Sequence, residues 1–132
     1  MDKDVNNDDE LIAKAREMMG AAYAPYSNFR VGAAVQASSG RIYGGANVEN
    51  ASYGATICAE RAAIFAAVNA GERVLTAIAV TATPCGVCRQ VMREFCDPQT
   101  FRVLVAPPHE TPREFRLEQL LPESFGPEKL GK

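Results

Sequence analysis

Four cysteines and one histidine stand among 132 residues, and three of the cysteines are spaced for chemistry. Cys85-Gly86-Val87-Cys88 is a C-x-x-C pair where a helix should begin, and Cys58-Ala59-Glu60 sets a third thiol at another expected helix start. Taken alone, a C-x-x-C pair is open between a redox site, half of a zinc site and accidental core cysteines. A structural zinc takes four protein ligands, and the spare candidates are Cys96 and His109. Cys96 follows Cys88 by eight residues, about 12 Å along a helix axis, a poor position for sharing one ion. Three thiolates with an open fourth position fit better, and the open position is the mark of a catalytic zinc.

Glu60 sharpens this reading. A carboxylate two residues after a ligand can stand beside the activated water without binding the metal, take its proton and pass it to a substrate. Three thiolates give a divalent zinc site an excess of negative charge, which works against ionising a water. Helix N-termini aimed at the sulfurs would offset part of that. Arg61, three residues beyond Cys58, lies close enough to donate to a ligand sulfur. The plain alternative for Arg61 is a solvated helix residue.

These side chains need elements to hold them. Leu11, Ile12, Ala15, Met18 and Met19 fall near helical spacing, with Gly20 as the stop. Phe29 to Val35 and Arg41 to Gly45 read as two strands of a hairpin turning at Ser38-Ser39-Gly40. Asn47 to Thr56 is polar and reads as a loop; a helix is expected from about Cys58 to Gly71. Val74 to Val80 reads as a buried strand, Cys85 to about Cys96 as a helix opening after Pro84, and Phe101 to Ala106 as another strand. Glu114 to Leu117 reads as a short strand and Leu117 to Leu121 as a helical turn before a Pro- and Gly-rich end. Hairpin, helix, strand, helix, strand is one α/β domain, a sheet with helices packed on it.

Composition removes several function classes. Hydrophobic residues at 47% and charged residues at 23% are those of a folded domain. The chain is at −2 and its first ten residues at −4, which leaves +2 on residues 11–132. Residues 1–10 therefore read as a loose acidic tail and residues 11–132 as the domain. No broad basic surface advertises nucleic acid. The uncharged stretch Val74 to Cys88 is too short and interrupted for a membrane span. The acidic start is unlike a secretory signal, so the expectation is a soluble cytoplasmic protein whose thiols serve metal or catalysis.

Cys58-x-Glu60 together with Pro84-Cys85-x-x-Cys88 is a known signature of zinc deaminases. With Tyr26 to Ala33, Asn47-Val48-Glu49-Asn50-Ala51-Ser52-Tyr53-Gly54 and Leu120-Leu121-Pro122 to Pro127, the chain resembles the cytidine deaminase family from about Leu11 to Leu130. The Asn-Val-Glu-Asn segment and the C-terminal motif are similar to the free-nucleoside branch. The resemblance implies a three-layer α/β/α fold with a mixed central sheet. It implies one Zn²⁺ per chain on Cys58, Cys85 and Cys88, and hydrolytic deamination of cytidine and 2′-deoxycytidine in pyrimidine salvage, with Glu60 moving protons. Asn47 and Glu49 would bind the ribose, Phe29 would pack on the pyrimidine, and the Ala59 backbone would read the base edge. Tyr53 and Phe125 would reach a neighbouring subunit's site in a homotetramer. Family members often carry a cysteine where this chain has Ala46, which touches no ligand role. Two rivals share the thiols. A polynucleotide deaminase would need a basic groove, and a non-catalytic zinc module would need a fourth protein ligand and no role for Glu60.

Overall fold

The computed structural model describes residues 3–132, with side chains from residue 7 onward. Strands Gly32–Ala37 (β1), Ile42–Ala46 (β2), Leu75–Val80 (β3), Arg102–Val105 (β4) and Arg113–Arg116 (β5) form one sheet in the order β2-β1-β3-β4-β5. β3 and β4 run parallel, and the other neighbours are antiparallel, so the sheet is mixed. The helices are Lys3–Met18 (α1), Ala59–Asn69 (α2), Gly86–Glu94 (α3) and the single turn Leu117–Leu120 (α4).

Alternation along the strands builds three layers. Ala33, Val35, Ile78, Val80, Val103 and Val105 pack with Ala63, Ile64 and Ala67 of α2 and Cys88 and Met92 of α3. Their neighbours Ala34, Ala77, Ala79 and Leu104 pack with Leu11 and Ala15 of α1 on the other face. Strands buried on both faces carry apolar side chains both ways, so β1 and β3 read as largely hydrophobic runs, broken only near the strand ends by Gln36 and Thr76. The expected α/β/α arrangement is the observed one.

The helices sit unusually close to the strands. A methyl group at Gly32 would overlap the Ala15 carbonyl of α1, and one at Gly44 would meet the Met18 side chain. On the opposite face, a methyl group at Gly45 would overlap the backbone of α2 at Ala59 and Ala63. β2 thus seats the first turn of α2, the turn that carries Glu60.

Element boundaries differ from expectation where side chains replace ladder bonds. β1 begins at Gly32 rather than Phe29, because the Asn47 amide takes up the backbone there. α3 stops at Glu94 rather than Cys96: the Phe95 N–H turns to the Met92 carbonyl at 3.1 Å in a tighter closing turn, and the Phe95 carbonyl accepts from the Leu75 N–H at 2.8 Å. α1 runs from Lys3 instead of near Leu11, so the acidic start is helical over its described part, while Met1 and Asp2 lie outside the described residues. The physical cause is Arg102. Its guanidinium donates to both carboxylate oxygens of Asp8, at 3.0 and 2.6 Å, and to Glu114 at 2.9 Å. Acidic residues in a first turn also suit the positive end of the helix dipole.

Gly45→Ala is expected to lower stability by about 2–3 kcal/mol, since backbone and not a flexible side chain must yield. A urea unfolding midpoint within error of the parent would show that α2 is not seated as described.

Candidate active site

Two helices begin on cysteine. Cys58 caps α2 and Cys85 caps α3, neither spending its side chain on a capping bond, and Cys88 lies one turn into α3. The Cys58 and Cys85 sulfurs are 3.9 Å apart and those of Cys85 and Cys88 are 3.4 Å apart. All three Sγ atoms lie within 4.8 Å of one another, and none is in a disulfide. Thiolates at 2.3 Å on a tetrahedral zinc stand about 3.8 Å apart, close to the sulfur spacings here. Soft sulfur donors suit zinc as well. Cys96 and His109 lie outside this group.

The surroundings differ for each thiol. Burial opposes ionisation of Cys85, but the Cys88 and Val87 N–H groups and the neighbouring thiols outweigh it and pull its pKa below the usual range. Burial, with the Glu60 charge and the other two thiols, holds Cys88 well above it. A divalent ion would replace those protons, which links metal binding to proton release. Arg61 donates through Nη2 to the Cys58 sulfur at 3.4 Å, and its buried Nε has no partner among the described residues. The contact with Cys58 raises the guanidinium pKa further. Cys96, by contrast, is pushed up to about 12 by burial and is an inert core thiol.

Glu60 is only 4% exposed. Burial raises its carboxyl pKa, against a smaller opposing pull from its own backbone N–H, the Cys88 thiol and Arg61. With Ala59, Cys58 and Cys85 it closes one end of a cleft of about 290 Å³, whose walls also include Phe29, Asn47, Glu49 and Thr83. That volume is near the lower limit for small-molecule sites. Phe29 is 60% exposed, so this wall has solvent on its far side.

Asn47 and Glu49 shape that wall. Val48 pairs with Tyr23 on one side and Ile57 on the other, so the segment is extended and both neighbours face the cleft. Asn47 Oδ1 accepts from the Val31 N–H and Nδ2 donates to the Phe29 carbonyl, both at 2.9 Å. Glu49 Oε1 accepts from the N–H groups of Tyr26 and Ser27 at 2.9 and 3.1 Å, and Oε2 accepts from the Ser27 hydroxyl. The Ser27 hydroxyl lowers the Glu49 pKa most; burial opposes it, and the Ser27 and Tyr26 N–H groups add smaller pulls downward. Asn28 takes a left-handed φ of 59°, turning Phe29 toward the cleft mouth.

Most of the expected site residues therefore meet in one place: Cys58, Ala59, Glu60, Cys85, Phe29, Asn47 and Glu49 line the cleft, with Cys88 buried behind it and Arg61 on Cys58. Tyr53 and Phe125 do not line it. Tyr53 is 77% exposed beside an adjoining cleft, edge-on to Tyr26, and Phe125 is 56% exposed on the C-terminal segment. Ser27 was missed as a site residue, although its place in a turn beside Asn28 is the pattern of a side chain that bonds local backbone.

The family described as "Cytidine and deoxycytidylate deaminase zinc-binding region" matches residues 5–104, which span all three thiols and Glu60. The chain belongs to the cytidine deaminase family. It is 44% identical to the cytidine deaminase of Halalkalibacterium halodurans, over 91% of this chain and 95% of that one. It is 43% identical to that of Sporosarcina psychrophila, over 92% and 93% of the two chains. Among solved structures, a cytidine deaminase from Burkholderia pseudomallei superposes with a TM-score of 0.83 at 45% identity, covering 89% of this chain and 98% of that one. That from Mycobacterium tuberculosis gives 0.78 at 40% identity, covering 89% and 96%. The deaminase family matched is defined by a zinc-binding region, and the cluster of three thiols is the donor set this chain offers the metal.

Cys88→Ala should reduce zinc from about one ion per chain to near zero, because a catalytic zinc rests on three protein ligands. Elemental analysis after dialysis reads this directly, and full retention of zinc would remove Cys88 from the ligand set.

Proposed function

We propose that this member of the cytidine deaminase family hydrolyses cytidine and 2′-deoxycytidine to uridine and 2′-deoxyuridine, releasing ammonia. The observation that carries the reading is that buried Glu60 and the thiols of Cys58 and Cys85 line the same cleft as Phe29 and Asn47. Zinc held by Cys58, Cys85 and Cys88 would supply Lewis acidity toward a water, bringing its pKa toward neutral. Glu60 accepts a proton from that water and delivers it to N3 of the pyrimidine, making C4 electrophilic. Glu60 then carries a second proton to the exocyclic nitrogen, which leaves as ammonia while the water oxygen stays on C4. Its burial beside the thiols suits this carboxyl to moving protons within the cleft rather than exchanging them with bulk water.

Other residues bind and balance charge. The Asn47 amide keeps one N–H and one oxygen lone pair beyond its backbone bonds, and the Glu49 carboxylate keeps lone pairs for hydroxyl donors. Both can meet a ribose. Phe29 offers a face to the pyrimidine, and the Ala59 backbone meets the base edge. Arg61 offsets the excess negative charge of three thiolates through Cys58.

Among the described residues no lysine or arginine lines the cleft, which supports a free nucleoside over a polynucleotide. Unpaired thiols kept for metal suit a reducing compartment such as the cytoplasm; no described helix is long and apolar enough to cross a membrane.

Glu60→Gln should keep about one zinc per chain but lose at least 10²–10⁴-fold in turnover, the usual contribution of a general acid-base group. An absorbance assay on cytidine, deoxycytidine, cytosine and a cytosine oligonucleotide checks both role and substrate; near-parental turnover in the variant sinks the assignment.

The reading extends to a homotetramer with shared sites, in which Tyr53 and Phe125 complete a neighbour's cleft. Its support is the exposure of Tyr26, Tyr53 and Phe29 along two adjoining clefts and of Tyr23 and Val48 on the paired segment that carries Glu49, more apolar surface than isolated exposed residues account for. Light scattering should give four times the chain mass, and a monomer at assay concentration would overturn the shared-site reading.

A further inference from the structure

We propose that Arg93 is a positioning residue, which with Gln90 clamps the C-terminal strap onto α3 and so sets where Phe125 is presented. The inference rests on the reading above, in which Phe125 completes a neighbouring subunit's cleft.

Successive turns of α3 face two ways. Cys88 and Met92 point into the core, while Arg89, Gln90 and Arg93 all reach the C-terminal segment. Arg89 donates to the Leu120 carbonyl at 2.8 Å and to the Pro84 carbonyl at 3.0 Å, joining the strap's root to the turn that precedes Cys85. Gln90 Nε2 donates to the carbonyl of Phe125 itself at 2.8 Å. Arg93 donates through Nε to the Ser124 hydroxyl at 2.8 Å, and through Nη2 to the Glu128 carboxylate. The residues bonded on either side of Phe125 thus hold to the same helix.

Arg93 is 9% exposed, whereas Phe125 is 56% exposed. A buried cation fixes its neighbours in one geometry because leaving it unpaired is costly. Gly126 lets the strap pass over it: a methyl group there would overlap the guanidinium. The aromatic ring is therefore directed outward by a bonded backbone and not by burial of its own side chain. Because α3 also carries Cys85 and Cys88, metal site and strap share one rigid element.

The test uses the zinc-loaded protein and cytidine. Arg93→Met should raise KM roughly three- to ten-fold, the range an aromatic contact is worth, with kcat changed less than about two-fold and zinc content kept. Arg93→Lys, which can still pair with Glu128, should recover part of the loss. The milder strap variants Ser124→Ala and Glu128→Gln should shift KM the same way and stand in if Arg93→Met fails to fold. The double variant Arg93→Met/Phe125→Ala should be no worse than Phe125→Ala alone, since both remove the same contact. Hydrogen exchange of the peptide containing residues 121–132 should accelerate in Arg93→Met.

Additive effects in the double variant, or a strap peptide whose exchange does not change, overturns the clamp. A raised KM in Phe125→Ala with a parental KM in the strap variants also overturns it, and leaves the role of Phe125 standing. A parental KM in Phe125→Ala overturns both, whereas loss of activity on every nucleoside in the parent protein would remove the reading on which they rest.

Discussion

Two helices must start within a few ångströms of each other, and each must start on a thiol. Helix N-termini carry partial positive charge, so packing two together is unfavourable unless something anionic lies between them. Cys58 and Cys85 occupy the capping positions and Cys88 the first turn beyond. The sulfurs that would hold a cation thus sit where backbone dipoles favour anions. Thiolates stabilised in this way are weaker bases, and Arg61 withdraws charge from Cys58 from the other side. The trio is thereby poised between two demands: enough negative charge to bind zinc, and not so much that the ion loses its acidity.

Small residues make that convergence possible. Gly45 admits α2 against β2, and Gly32 admits α1 against β1. The face beneath α1 is built largely of alanine, at Ala34, Ala77 and Ala79. Helices packed closely on both faces hold the sheet between them, and the chain leaves β3 toward the Pro84 turn that precedes Cys85. Placement of Cys85 relative to Cys58 thus depends on glycines and alanines that never touch a ligand. Close packing costs backbone entropy at each glycine, and the gain is three sulfurs held within reach of one ion.

The sequence made some of this legible and hid the rest for identifiable reasons. Order and type of the elements could be read because β1 and β3 are mostly apolar runs and α2 and α3 open at cysteines. The shared cleft followed from the motif residues, since Cys58, Glu60 and Cys85 each sit at a predictable helix start. The N-terminal boundary of α1 was not legible, because its acidic first turns are held by Arg102, which is ninety-four residues away from Asp8. Nor was the boundary of β1, where a side-chain amide replaces strand partners. Contacts of this kind join a polar side chain to distant backbone and leave no periodic trace. Arg93 was hidden for the same reason: in the sequence it is one more polar position on an amphipathic helix.

The wall opposite the thiols shows how one set of groups can serve structure and recognition together. Asn47 and Glu49 are bonded to the 26–31 segment and still retain capacity for hydroxyls. A free carboxylate and a free amide would have to surrender side-chain entropy on binding a sugar. Here that cost is met during folding, because their rotamers are already held by Tyr26, Ser27, Phe29 and Val31. The same bonds fix the turn that presents Phe29. In the proposed reaction, ribose contacts and the pyrimidine wall therefore move as one unit. On that proposal, a sugar bonded to Asn47 and Glu49 would land with its base against Phe29 and its C4 toward Glu60. Binding energy gained at the ribose is in this way converted into orientation at the reacting carbon, where proximity contributes most to rate.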